Sequence, residues 1–118
     1  MVTIEDVRVL AARLPRSYEA LVREQVRFRV GRIVYLGFSQ DERLMGFAFP
    51  KEERDLLVGS DPDKFLLPDK ASLRYNWVAV RLEAIQEDEM RELVLDAWSM
   101  VVPKSVAAEF FVSDAAAE

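Results

Sequence analysis

The chain has 118 residues, 51% hydrophobic and 31% charged, which suits one domain with a single core and no need of disulfides or metal. It contains no histidine and no cysteine, which excludes an imidazole base, a thiolate nucleophile and a zinc site of the usual kind. A net charge of −5 argues against strong non-specific binding to nucleic acid, and no apolar run approaches the roughly 20 residues that span a bilayer.

Thr3 is an N-cap residue for a first helix, with Asp6 at the capping-box position. Ile4, Val7, Leu10, Ala11 and Leu14 recur at helical spacing, and Pro15 stops the helix. A strand-like segment, Val22 to Val30, sorts its side chains by parity. Val22, Glu24, Val26, Phe28 and Val30 point one way, and Arg23, Gln25, Arg27 and Arg29 the other. The first strand proper is read over Val26 to Val30, with its apolar residues on a core backed by the first and last helices. Gly31-Arg32 fits a two-residue type II′ turn into a second strand, Ile33 to Phe38. A turn at Ser39 to Glu42 leads to a third strand, Arg43 to Phe49, completing a meander. In that strand Met45, Phe47 and Phe49 share one face, while Leu44, Gly46 and Ala48 line the other. One face packs on helices; the other is covered by a neighbour or is a contact surface.

Pro50 suits the first turn of a second helix, with Glu52 and Glu53 at its positive end and Gly59-Ser60-Asp61-Pro62 after it. Asp61 to Leu73 reads as a loop plugged onto the core by Phe65, Leu66 and Leu67. Trp77 to Ile85 reads as a strand. The last long helix opens on Glu87-Asp88-Glu89 and carries Met90, Leu93, Val94, Ala97, Trp98, Val101 and Val102 on one stripe. Pro103-Lys104-Ser105 begins a short turn holding Phe110 and Phe111, and 113–118 reads as a flexible tail after a single domain over 1–112. Grouped strands flanked by helices predict an α+β two-layer sandwich with a mostly antiparallel sheet, one face of which can stay open.

Residues 1–54 carry a balance of +2 and residues 55–118 a balance of −7. Within 8–32 seven arginines face two glutamates. Such polarity fits an anion-binding face, although folding can mix the charges again. Trp77 shares the parity of Arg81 and Glu83. A large aromatic is mostly buried, which favours packing under the Asp61–Leu73 loop; beside arginines on an open face it can instead stack a base or anchor a partner. Gly37-Phe38-Ser39-Gln40-Asp41 lacks the second glycine of a nucleophile elbow, and Asp61-Pro62-Asp63 lacks the later ligands of a calcium loop.

Taken in order, several segments resemble the MmcQ/YjbR-like family of small bacterial proteins. They are Thr3 to Arg8 with Leu14-Pro15, Phe28 to Gly31, Glu52-Glu53-Arg54, Asp61-Pro62 with Phe65, Trp77 to Leu82, Asp88 to Leu93, Ala97-Trp98 and Val102-Pro103-Lys104. The resemblance implies the order α-β-β-β-α-β-β-α, a fold like that of secretion chaperones, and a DNA-binding role through its likeness to a "double wing" domain. The chain departs from the family pattern at Leu44 to Phe49 and at Leu67 to Lys70, where members often carry basic residues or histidines.

Two functional readings follow. In the first, a DNA-binding module sets Arg23, Arg27, Arg29 and Arg32 on phosphates, since arginine gives planar two-pronged donors. In the second, a non-catalytic interaction module, homodimeric or bound to another protein, uses the same face with Trp77 and Arg81, or the Met45-Phe47-Phe49 strand. Neither reading calls for an enzyme, a metal, a cofactor or a membrane. A start at Met1 to Asp6 without the regions of a signal peptide is the expectation for a cytoplasmic protein. Acids outnumber bases overall, so Glu83 or Glu87 to Glu89 are expected to pair with the arginine stripe.

Overall fold

In the computed structural model, which describes residues 2–117, helix α1 (Ile4–Ala11) begins at Thr3. The Thr3 backbone N–H donates to Asp6 Oδ2 at 2.9 Å, and the helix buries Ile4, Val7, Leu10 and Ala11. Four strands follow as one meander: β1 (Ser17–Val22), β2 (Gln25–Val30), β3 (Ile33–Phe38) and β4 (Leu44–Ala48). Helix α2 (Lys51–Ser60), a short strand β5 (Phe65–Leu66) and strand β6 (Trp77–Arg81) complete the sheet. Its order is β1-β2-β3-β4-β6-β5, with every neighbouring pair antiparallel. Helices α3 (Glu87–Ser99) and α4 (Lys104–Ala117) close the chain.

The α+β two-layer sandwich expected from the sequence is the architecture, with one strand more before it and one helix more after it. Strand β1 is the strand the periodicity missed. Val22 to Val30 is not one strand, because Arg23 and Glu24 turn the chain with φ of 51° and 67°. Two consecutive positive φ values make the hairpin turn that Asn-Gly normally signals, and Arg-Glu gives no such signal. The parity reading holds from Gln25 to Val30, where residues alternate between half-buried and buried. The strand expected over Trp77 to Ile85 stops at Arg81, and Leu82–Ala84 form a 3-10 turn.

Val26, Phe28, Val30, Leu36, Phe38, Met45, Phe47, Val78 and Val80 are all buried. Register matching of Phe28 with Leu36, Leu36 with Phe47 and Phe47 with Val78 places one apolar row across four strands. Helix α3 packs on β3 and β4 and against α1, so this row is the core face. Full burial of each such side chain stabilises the fold by about 1.5–3 kcal/mol before the entropy of ordering is counted. Phe65 is buried as the plug expected of its loop, whereas Leu67 stays exposed.

The expected short turn and tail after Pro103 form helix α4, which runs past position 113 to Ala117. Alanines at 107, 108 and 115 to 117 favour helix there, a propensity that outweighs the lack of a clear apolar stripe. Phe110 and Phe111 meet Trp98 edge-on at 5.2 and 6.3 Å. Asp114 pairs with Arg91 and with Arg13 at 3.0 Å, joining α4 to α3 and to the turn after α1. These partners, Arg91 first, hold the Asp114 carboxyl below the usual carboxylate range. A depressed carboxyl contributes stability above its unfolded pKa of about 3.9 and loses it as pH falls through the folded value. Protection of the α4 amides, exchange measured against the intrinsic rate at each pH, is therefore expected to fall below about pH 4. In Asp114→Asn that acid dependence disappears; its persistence would place the titrating group elsewhere.

Among the described residues no helix is long and apolar enough to cross a membrane.

Candidate anion-binding face

The second face of the sheet is built by the alternate residues of the same strands. Arg27 is the register partner of Ala20 and Gly37, Gly37 of Gly46, and Gly46 of Ala79. One pleat along, Arg29 partners Tyr18 and Val34, and Ala48 partners Trp77. The shift between these rows leaves Tyr35 as an extra residue opposite Phe28 and Arg29. This bulge lets Tyr35 and Leu36 both bury while Val34 joins the arginine face, because an added residue reverses the side-chain parity. Burial raises the Tyr35 hydroxyl to about 12, and it is hydrogen-bonded to Ser17 on β1.

Two glycines form the floor. A Cβ on Gly46 would lie 2.5 Å from Trp77 Nε1, and one on Gly37 would lie 3.1 Å from Arg27 Cδ. The indole and the guanidinium stem thus lie flat on adjacent strands, where any larger residue would lift them. Both line one cavity of about 490 Å³, walled by Val34 and Ala48 from the sheet, Tyr75 and Asn76 from the loop before β6, and Val101 from the turn after α3.

Arg54 holds that loop in place. It is a buried guanidinium, 7% exposed, whose Nη1 donates to the Tyr75 and Trp77 carbonyls at 3.0 and 3.2 Å and whose Nη2 donates to the Leu73 carbonyl at 2.8 Å. Its charge is met by three carbonyl dipoles instead of a carboxylate. Asn76 completes the attachment: its Oδ1 accepts from the Lys51 N–H at 3.0 Å, in the first turn of α2 where Pro50 has no side chain to offer.

The arginine stripe is not salt-bridged, contrary to expectation. Among the described residues Arg23, Arg27, Arg29 and Arg32 form no ion pair; the acids that do pair go to Arg8, Arg13, Lys64 and Arg91. Glu89 is held by Lys64 at 3.0 Å, and Glu83 follows β6 in an exposed turn. The overall excess of acids had suggested these partners, but the end of β6 lies across two strands from β2. Arg27 Nη2 donates to Gln25 Oε1 at 2.7 Å and its Nη1 reaches the Phe38 carbonyl at 3.3 Å. Partial burial lowers the proton affinity of Arg27, and the neighbouring Arg29 charge lowers it further. Arg29 has no hydrogen-bond partner among the described residues, and its Nε is buried.

The structure therefore gathers Arg27, Arg29 and Trp77 at one end of the face, with Arg32 at the adjoining hairpin tip. It separates the others. Arg23 sits in the opposite turn instead of on the face, and Arg81 lies four residues from Trp77, about 13 Å along the strand. Arg81 Nε donates to the Asp63 carbonyl at 3.1 Å, which ties it to the loop entering β5. Trp77 is half-buried, its indole lies on Gly46, and it shares a cavity with Ser72 of the Asp61–Leu73 loop. The glycine floor, the bulge and the loop wall went unread in the sequence; the shared parity of Gly46 and Ala48 was the one signal for the floor.

A single antiparallel sheet with helix α3 packed on one face and arginines and an aromatic on the other is an α+β architecture. The family model described as YjbR matches residues 12–100, and the chain belongs to that family. The fold is similar to the crystal structure of Deinococcus radiodurans protein DR2400, described with domain DUF419. The TM-score is 0.76 at 22% identity, covering 92% of this chain and 88% of that one. No curated protein matches the chain.

Proposed function

We propose that this YjbR-family protein is a cytoplasmic, non-catalytic DNA-binding module that uses the open face of its sheet. Arg27 and Arg29 contact phosphate, with Arg32 and Arg23 at the two hairpin tips extending the contact. One observation carries the reading: two neighbouring, half-buried guanidinium groups are held together without a carboxylate partner among the described residues. Like charges set side by side repel, and an external anion relieves the repulsion.

Binding is expected to be weak and steep in salt, because the rest of the protein is acidic. Four phosphate contacts give a slope of log K against log salt of about −3 to −4. Anisotropy titrations with a labelled oligonucleotide at low salt measure it, and Arg27→Ala with Arg29→Ala should flatten the slope by about 2. No binding at low salt and high protein concentration would dispose of the proposal.

Strand β1 favours a second reading, as a homodimer or a partner-protein module. It is a six-residue sheet edge with Tyr18 and Leu21 exposed, and a free edge is a template for another strand. Light scattering separates a dimer from a monomer.

A further inference from the structure

We propose that the cavity beside Trp77 takes one unpaired nucleotide, with its base stacked on the indole and its phosphate held by Arg27 and Arg29. This rests on the reading of the sheet face as the DNA-binding face, and it narrows the target to single-stranded DNA.

An indole, aliphatic side chains at Val34, Ala48 and Val101, and a guanidinium line the same space. A flat heterocycle that carries an anion meets all three at once. Asn76 stands on the rim with its oxygen occupied by Lys51, which leaves its amide donors for the edge of a base. The cavity volume of about 490 Å³ lies inside the range of roughly 300–1,000 Å³ found for small-molecule sites.

The glycine floor supplies the geometry. Because Gly46 lacks a side chain, the indole lies against the sheet and is held at the cavity wall. Because Gly37 lacks one, Arg27 lies flat beside it and does not project. A recessed arginine suits a ligand that enters the cleft. Duplex DNA keeps its bases stacked inside, so it cannot offer a base to Trp77 without first flipping it out. Charge points the same way: a protein of net −5 repels a long, dense polyanion more than it repels one nucleotide or a flexible strand.

The full chain provides its own probe. Trp98 is wholly buried, so quenching by added ligand reports on Trp77. Titration with nucleoside 5′-monophosphates is expected to give saturable quenching, and inorganic phosphate alone should give none. In parallel, labelled single-stranded and duplex 15-mers are compared by anisotropy at low salt. Single strand should bind tighter, and Trp77→Ala should weaken it by about tenfold while leaving duplex binding unchanged. Gly46→Ala should do the same with the tryptophan still present, since its Cβ would displace the indole. Near-UV circular dichroism of Trp98 checks that each variant is folded.

Equal binding of both oligonucleotides, unaffected by either substitution, would overturn the nucleotide site and leave the DNA-binding face standing. Mononucleotide quenching without oligonucleotide binding would keep the nucleotide site and overturn the DNA-binding face. Absence of both signals would overturn both.

Discussion

Arg54→Ala is expected to destabilise the protein by about 2–4 kcal/mol and to unfix the loop that walls the cavity. The guanidinium satisfies three carbonyls, at Leu73, Tyr75 and Trp77, and hydrogen bonds to a charged donor contribute more than neutral ones. Removing it leaves those carbonyls to find water at the edge of the cleft, so the loss falls short of three full desolvation penalties. Arg54→Lys should recover only part of the stability, because a point charge cannot fork across three acceptors. Arg54→Met is the sharper comparison. It keeps most of the apolar stem, and buried ionic groups are sometimes replaced by apolar ones at no cost. Urea denaturation of the three variants measures the effect; a methionine variant as stable as the parent would show that the carbonyl clamp contributes nothing net. Because Arg54 binds the carbonyl of Trp77 itself, the same variants should broaden the environment of the indole and weaken any ligand it holds. Arg54 is thus a positioning residue for the candidate site.

That role could not be read from the sequence, where Arg54 is one charge among many on an amphipathic helix. The helical and strand periods revealed the residues that face the core: the α1 stripe, Val26, Phe28 and Val30, and the run from Met90 to Trp98. Each pattern is local, and each was enforced by burial. What stayed hidden depends on contacts distant in sequence or on backbone states that side chains do not announce. Arg23 and Glu24 adopt positive φ without glycine or asparagine, so β1 gave no turn signal. Tyr35 is an extra residue in β3, a bulge set by the pairing with β2 that nothing in the local sequence announces. The stripe residues Arg27 and Arg29 were legible from parity alone, but their lack of acidic partners was not. Pairing depends on which strands are neighbours, and β2 lies between β1 and β3, away from the acids that follow β6.

Trp98→Ala carries the largest expected cost, about 3–5 kcal/mol, as for other wholly buried aromatics. The indole fills the centre of the helical layer, and its Nε1–H donates to the Pro15 carbonyl at 2.9 Å, so truncation opens a cavity and leaves that carbonyl without its partner. Set against the roughly 5–15 kcal/mol by which small domains are stable, the loss removes a large share of the folded state's margin. It should also fall unevenly. Helix α4 lies beyond the matched region 12–100 and is joined to the rest through Phe110 and Phe111 on Trp98, through Val106 and Ala107 on the core, and through Asp114. Trp98→Phe retains a ring for those contacts but loses the bond to Pro15, so it should cost less and keep α4 docked. Denaturation midpoints with amide exchange along α4 distinguish the two. If Trp98→Ala left exchange in α4 at the parent rate, the helix would be anchored by Asp114 and by Val106 and Ala107 on the core, and the aromatic cluster would serve only to fill it.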